Sequence, residues 1–234
     1  MTATGHDAVL SWSQLTLSWD DKTAFQRSVV PGTLSQGQTT LLVGESGSGK
    51  STFLASLCGM KQPDEGNVRV AGTDIYSLRG SRRDMFRAAH VGVIFQQLAL
   101  LPFLSALSNI MLPLRFQTLW PKPAAESELR ARLLCKNLGL GEHLLIQNAG
   151  TLSVGQQQRV AIARALISDP AIVLADEPTA ALDKRNREAF LDLLFQVADA
   201  HGTALLVASH DEDISHRFGT VVEFRSEPHP SVAA

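Results

Sequence analysis

The chain is poor in cysteine, in long apolar runs and in net charge, and each shortage excludes a class of protein. Two cysteines, Cys58 and Cys135, stand far apart in helix-like contexts among 234 residues. That spacing fits neither a metal site nor a disulfide framework, so both read as buried free thiols. A formal charge of −2 supplies no broad electropositive field, and no nucleic acid partner is expected. The most apolar region, Leu98 to Leu114, is interrupted by Pro102, Ser105, Ser108, Asn109 and Pro113. It falls well short of the ~18 consecutive apolar residues that a bilayer span needs. Met1 to Ser13 has no basic segment followed by an apolar stretch, which leaves no secretory signal and implies a cytoplasmic location. Internal repeats and low-complexity segments are also missing.

What is present is a 44% hydrophobic content, enough for one large domain or a core with a subdomain. Short β-rich segments come first, at Trp12 to Leu17 and Thr39 to Val43, with turn signals at Asp20-Asp21, Pro31-Gly32 and Gln36-Gly37. A helix begins near Lys50 and fades at Gly59; Val68 to Val70 and Val91 to Phe95 read as strands. From about Ser105 to Leu140 the pattern is helical, with Leu129, Leu133, Leu134 and Leu138 at helical spacing. The last third alternates helix from Gly155, strand Ala171 to Ala175, helix Asn186 to Ala200, strand Thr203 to Ala208, and a short helix after Asp211. Ile172-Val173-Leu174 and Ala204-Leu205-Leu206-Val207 are apolar throughout, as strands are when helices cover both sheet faces. The expected fold is therefore α/β with a mainly parallel sheet. The expected division is a nucleotide-binding core from approximately 1–96 and 155–225, a helical subdomain at about 97–154 and a flexible tail at 226–234.

Gly44-Glu45-Ser46-Gly47-Ser48-Gly49-Lys50-Ser51 fits the phosphate-loop pattern G-x-x-x-x-G-K-[ST] in full, after the apolar strand Leu41-Leu42-Val43 and before a helix. Its glycines allow a tight turn whose N–H groups converge on phosphate oxygens, and the next helix adds its positive end. Gly44 to Thr52 are the expected nucleotide-binding residues: Lys50 reaches the β and γ phosphates and the Ser51 hydroxyl ligates Mg²⁺. A second apolar strand ends in Asp176-Glu177. Ligands of parallel sheets gather beyond the carboxyl ends of strands, so Asp176 is expected to hold Mg²⁺ and Glu177 to orient and deprotonate the attacking water. Surface acids at a strand end are the plain alternative. His210 follows a third such strand, from where it can hydrogen-bond the γ-phosphate and stabilise transition-state charge. Histidines 6, 90, 143, 201, 216 and 229 lack such a position and read as surface or satisfied core residues.

In Thr151-Leu152-Ser153-Val154-Gly155-Gln156, Ser153 and Gln156 have the spacing of a capping box, which local stability alone would justify. The same helix start offers free N–H groups and a favourable dipole to an anion. A chain with one phosphate loop has little use for a second phosphate site, but another subunit could use it.

Leu152-Ser153-Val154-Gly155-Gln156, Ala175-Asp176-Glu177-Pro178-Thr179, Ala181-Leu182-Asp183, Phe95-Gln96 and Ser209-His210, together with the phosphate loop, resemble the ATP-binding subunit of an ABC transporter. The resemblance runs from about Trp12 to Phe224. It implies a P-loop NTPase core with an N-terminal antiparallel β subdomain and an inserted α-helical subdomain. It also implies a head-to-tail homodimer, with ATP between one subunit's phosphate loop and Ser153, Gly155 and Gln156 of the other. By the same resemblance Gln96 ligates Mg²⁺ or water and senses a membrane permease, Trp19 stacks on adenine unless it is a buried structural residue, and Asp183 contacts the partner's phosphate loop. The work implied is ATP hydrolysis powering transport from the cytoplasmic face of the membrane. The segments Gly92 to Gln97, Leu101-Pro102 and Ser105 to Leu114 look most like the subfamily of macrolide exporters and lipoprotein-release complexes. Leu98, Leu100, Leu101 and Phe103 either line a groove for a permease helix or pack in the core.

Val154 departs from the usual L-S-G-G-Q. A β-branched residue tolerates that position only if its φ is ordinary, and the capping register provides this by making it the first helical residue. Three rival functions stay open: a non-transport ABC ATPase, which includes signalling through a similar membrane partner; a weakly hydrolysing regulatory module; and a small-molecule kinase. The coiled coil of chromosome-structure ATPases has no counterpart in the about one hundred residues between phosphate loop and signature.

Overall fold

The computed structural model describes residues 8–18, 26–116, 124–224 and 227–228. The chain runs through β1 (Ala8–Trp12), β2 (Leu15–Ser18), β3 (Gln26–Val29), β4 (Gly32–Ser35) and β5 (Thr39–Val43) into α1 (Lys50–Leu57). Next come β6 (Val68–Val70), β7 (Thr73–Asp74), α2 (Ser81–His90), β8 (Val91–Ile94), α3 (Ala106–Met111), α4 (Ala124–Asn137), α5 (Glu142–Leu145) and α6 (Val154–Leu166). The last part holds β9 (Ile172–Asp176), α7 (Lys184–Ala200), β10 (Ala204–Ser209), β11 (Thr220–Glu223) and β12 (Glu227–Pro228).

Five strands in the order β11-β5-β10-β9-β8 form a sheet whose neighbours are all parallel. Such a sheet is covered on both faces, and Ile172 to Ala175 and Ala204 to Ala208 are at most 1% exposed. Successive side chains point to opposite faces and divide between two cores. Leu41, Val173, Leu205 and Val207 meet α6 and α7 through Val160, Phe190, Leu191 and Leu194. Leu42, Leu174 and Leu206 meet α1 through Phe53, Leu54 and Leu57. The second core is closed by the antiparallel sheets β4-β1-β6-β7 and β12-β3-β2, which add Leu10, Leu15, Leu34 and Val70.

Three expectations change. The segment Trp12 to Leu17 is two strands in different sheets, because Ser13 exchanges hydrogen bonds with Asn67 (3.1 and 2.9 Å) and the chain bends there. Gly66, at φ +93°, lies so close that a Cβ would sit 2.2 Å from the Gln14 carbonyl. Helix α2 was not foreseen. It buries no residue fully and starts at Gly80 without a side-chain cap, so no start signal marks it. In α4 the buried face carries Ala131, Leu134 and Cys135, continued by Leu138 just past its end, while Leu129 and Leu133 are exposed.

Asn109 is fully buried near the start of this helical region. Its Oδ1 accepts from the Leu101 amide at 2.8 Å, and its Nδ2 donates to the carbonyls of Leu101 (3.0 Å), Leu104 (3.3 Å) and Ser105 (3.1 Å). An apolar residue of similar size leaves those backbone groups without partners. Asn109→Leu is therefore expected to destabilise the chain by about 2 kcal/mol, read as a lower urea midpoint at unchanged slope; an unshifted midpoint would show that the loop amide finds another acceptor.

Candidate functional site

Register decides what meets at the carboxyl edge of the parallel sheet. Val43 pairs with Ser209, Ala208 with Asp176, and Ile94 with Ala175. Four chain segments therefore leave the sheet side by side: the loop at Gly44, the acids Asp176-Glu177, the Ser209-His210 corner and the Phe95-Gln96 exit. The Gly44 amide donates to the Ser209 carbonyl (3.3 Å), and the Glu177 amide to that of Ala208 (2.9 Å).

The loop turns through Gly47 (φ 78°) and Gly49 (φ 103°) into α1, a left-handed geometry that glycine adopts freely. Glu45, Ser46, Gly47 and Ser51 are exposed, Gly44, Ser48 and Thr52 half-buried, and Lys50 buried. The Lys50 side chain curls back over its own loop, where Nζ donates to the carbonyls of Gly44 (2.6 Å) and Glu45 (2.9 Å). It also stands 3.6 Å from Glu177 Oε1.

Glu177 is only 12% exposed and is held from several sides. Ser209 Oγ donates to its Oε2 (3.4 Å), and His210 Nδ1 lies 3.0 Å from the same oxygen. Its φ of 44° is an uncommon value for a residue with a side chain. Asp176, one residue earlier, has a buried Oδ1 without a hydrogen-bond partner. Burial pushes its carboxyl above the usual carboxylate range, countered in part by the hydrogen bond from Ser51. An orphaned carboxylate oxygen beside a hydroxyl suits a hard dication, which lowers the cost of that buried charge. Among the described residues no group of three or more His, Cys, Asp or Glu could hold a metal. This donor set accordingly fits an ion that takes its remaining ligands from phosphate and water.

Lys50, Ser51, Asp176, Glu177 and His210 thus lie in one connected cluster. His210, expected on a phosphate, contacts the carboxylate of Glu177 instead. Gln96 is exposed two residues beyond the Ile94–Ala175 pair. Asp183 caps α7, accepting from the Asn186 amide (2.9 Å) and side chain (2.8 Å). Trp19 lies outside the described residues. Ser153 and Gln156 form the complete capping box at the start of α6 (2.9 and 3.4 Å). Val154 is the first residue of α6 and is not among those with positive φ. Gly155 is exposed, and a Cβ there would meet nothing within 4 Å among the described residues.

Sequence reasoning gave no role to three residues at or near this edge. Ser209 both donates to Glu177 and accepts from the Asp211 amide (3.1 Å), which its place at the end of an apolar strand could have signalled. Arg187 pairs with Asp211, joining the start of α7 to the histidine corner; nothing in the sequence marks that pair. Arg164 is buried on α6, where a charge inside an apolar helix stripe was the available signal.

A cleft of about 410 Å³ opens beside the edge, lined by Met60, Arg87, Phe95, Ala99, Leu112 and Phe116 among others. The residues read as lining a groove or packing in the core, Leu98, Leu100, Leu101 and Phe103, differ in exposure. Leu98 and Leu100 pack against the core, Leu101 is half-buried, and Phe103 stands 70% exposed.

Comparison with known proteins agrees with this geometry. The family described as ABC transporter matches residues 28–180. YbbA of Escherichia coli K12, an ABC transporter ATP-binding protein without an assigned role, is 42% identical over 187 residues, 79% of each chain. LolD of Shewanella sp. MR-4, the ATP-binding protein of a lipoprotein-releasing system, is 40% identical over 182 residues, 78% of this chain and 77% of its own. Among solved structures, the ATP-binding cassette MJ0796, dimeric in a post-hydrolysis state with ADP and Pi, superposes with a TM-score of 0.78 at 31% identity over 94% of this chain and 98% of its own. With relatives of such identity along most of its length and the family pattern spanning its phosphate loop and both acids, the chain belongs to the ABC transporter family.

Proposed function

We propose that the chain is the ATP-hydrolysing subunit of a transporter, working as a head-to-tail homodimer on the cytoplasmic face of the membrane and driving lipoprotein, lipid or drug extrusion through a permease. The observation that carries this reading is the single sheet edge at which Lys50, Ser51, Asp176, Glu177 and His210 converge. No helix among the described residues is long and apolar enough to cross a membrane, so attachment runs through the permease.

The phosphate loop grips the triphosphate with backbone N–H groups of residues 44–52, and Lys50 leaves its loop carbonyls for the β and γ phosphates. Ser51, Asp176 and Gln96 would hold Mg²⁺, which would supply positive charge against that of the phosphate oxygens. Glu177, freed of Lys50, orients the attacking water and takes its proton. His210 passes from Glu177 toward the γ-phosphate and stabilises charge there. The partner covers the far side with the start of its α6, where Ser153, Gly155 and Gln156 face the phosphate. The exposure of Gly155, with nothing among the described residues to require its small size, supports a close approach from outside. Asp183 faces the partner's phosphate loop, and Trp19 stacks on adenine. Residues 97–154 act as the arm that carries this closure to the permease. The permease seats a short helix in the cleft beside Phe95 and Phe116.

Replacing Glu177 by Gln keeps the shape and removes the base. Turnover should fall by about 10² to 10⁴, and Mg-ATP should hold the variant as a stable dimer in light scattering; wild-type turnover in this variant would overturn the assignment. Asp176→Asn removes a buried charge, so the nucleotide-free protein should melt higher while Mg²⁺ activates hydrolysis at least about tenfold less well. Equal loss in both readouts would count against Asp176 as a ligand. Phe116→Ser is expected to abolish stimulation of hydrolysis by the permease while the isolated subunit keeps its rate, measured by phosphate release with and without the membrane partner.

A further inference from the structure

Arg164 is the buried cation that the mechanism above does not use. It is 8% exposed on α6, and burial pushes its guanidinium below the usual range. No carboxylate among the described residues forms an ion pair with it. Its partners are two consecutive backbone carbonyls: Nη2 donates to Leu98 at 2.5 Å and Nη1 to Ala99 at 2.6 Å. Both residues have left-handed backbones, Leu98 with φ 55° and Ala99 with φ 46°, a conformation that side chains disfavour. Successive left-handed residues point their carbonyls the same way, and the planar two-pronged guanidinium matches such a pair, whereas an ammonium does not.

A buried cation is costly, and an apolar side chain of similar volume commonly replaces one without loss of stability. Packing therefore does not explain Arg164. Its position does. The strained corner begins two residues after Gln96, and it is closed locally by Leu98 N to Phe95 O (2.8 Å) and Ala99 N to Gln97 O (2.6 Å). The same α6 that carries Arg164 begins with the capping box at Ser153. It also lies so near β8 that a Cβ on Gly92 would sit 2.3 Å from the Ala165 carbonyl. Arg164 and Ala99 both line the cleft.

We propose that Arg164 is a positioning residue for ATP hydrolysis. Its fork clamps the Leu98–Ala99 corner, fixes Gln96 at the catalytic edge, and ties that corner to the helix presented to the partner subunit. The proposal rests on the reading of Gln96 as a ligand of Mg²⁺ or water.

The test measures kcat and KM for Mg-ATP, together with melting temperature, in the full chain. Arg164→Met should lower kcat about tenfold or more with KM within about twofold and an unchanged melting temperature. Arg164→Lys should recover little, because it cannot span both carbonyls. Adding Ala99→Gly, which permits the left-handed turn at no steric cost, should restore at least about threefold of the lost kcat in Arg164→Met and do nothing in the wild type. Unchanged kcat in Arg164→Met overturns the proposal, as does a joint fall of kcat and melting temperature without glycine rescue. Gln96→Ala separates the two readings. If it is impaired while Arg164→Met is normal, the clamp alone fails; if it is fully active, the Gln96 reading fails and the clamp with it.

Discussion

An ammonium and a carboxylate contributed by different strand ends, Lys50 and Glu177, stand 3.6 Å apart, and the rest of the fold serves to hold them there. Neither residue is near the other in sequence. Their meeting depends on β10 lying between β5 and β9 in one parallel register, so that Val43, Ser209 and Asp176 finish at the same level. Slipping that register by one residue would turn every side chain to the opposite face. Leu42, Leu174 and Leu206 would then leave α1 for the core against α6 and α7. Two full cores oppose such a slip, so the same apolar residues that stabilise the sheet also fix the distance between the charged groups at its edge.

The legibility of the chain in its sequence follows from where each signal resides. Continuous apolar strands, the glycine-rich loop and the acids at a strand end are local patterns imposed by general physics, and the parallel sheet and the cluster of Lys50, Asp176 and Glu177 were accordingly readable. The Ser153 capping box was readable for the same reason: its two partners are three residues apart. The break at Ser13 was not, because Asn67 and Gly66 impose it from far along the chain. Helix α2 was not, because it lacks a side-chain cap at its start and buries no residue fully. Pairing of Arg187 with Asp211 and of Arg164 with two carbonyls is tertiary, and a sequence shows only that the charges exist.

Helix α6 joins parts of the molecule that the sheet alone does not connect. Its N-terminus offers Val154 and Gly155 to the outside, its apolar face packs against the parallel sheet, and Arg159 reaches the carbonyls of Leu138 (2.8 Å) and Gly139 (3.2 Å) beyond α4. The missing space at Gly92 removes slack between α6 and β8. A rotation of this helix cannot be confined to one end, since close-packed interfaces change between discrete arrangements rather than deforming smoothly. In the proposed function, closure against a partner at Ser153 and occupation of the cleft beside Ala99 would therefore act on the same helix.

Strain at Glu177 bears on how its carboxylate is held at the edge. A left-handed backbone on a residue with a side chain costs roughly 1–2 kcal/mol. A single hydrogen bond to a charged group contributes about 1.5–3 kcal/mol, and Glu177 has contacts with Ser209, His210 and Lys50, besides its amide bond to Ala208. The bonds outweigh the strain, so the conformation persists. In the proposed function a triphosphate would draw Lys50 and His210 to itself and remove two of those contacts, while the backbone stays anchored by the sheet. The carboxylate would then have its lone pairs open, the state in which it could take a proton from water. Only the Ser209 hydroxyl and the amide bond to Ala208 would then oppose the backbone strain, so the proposed base depends on the sheet to keep its carboxylate in place.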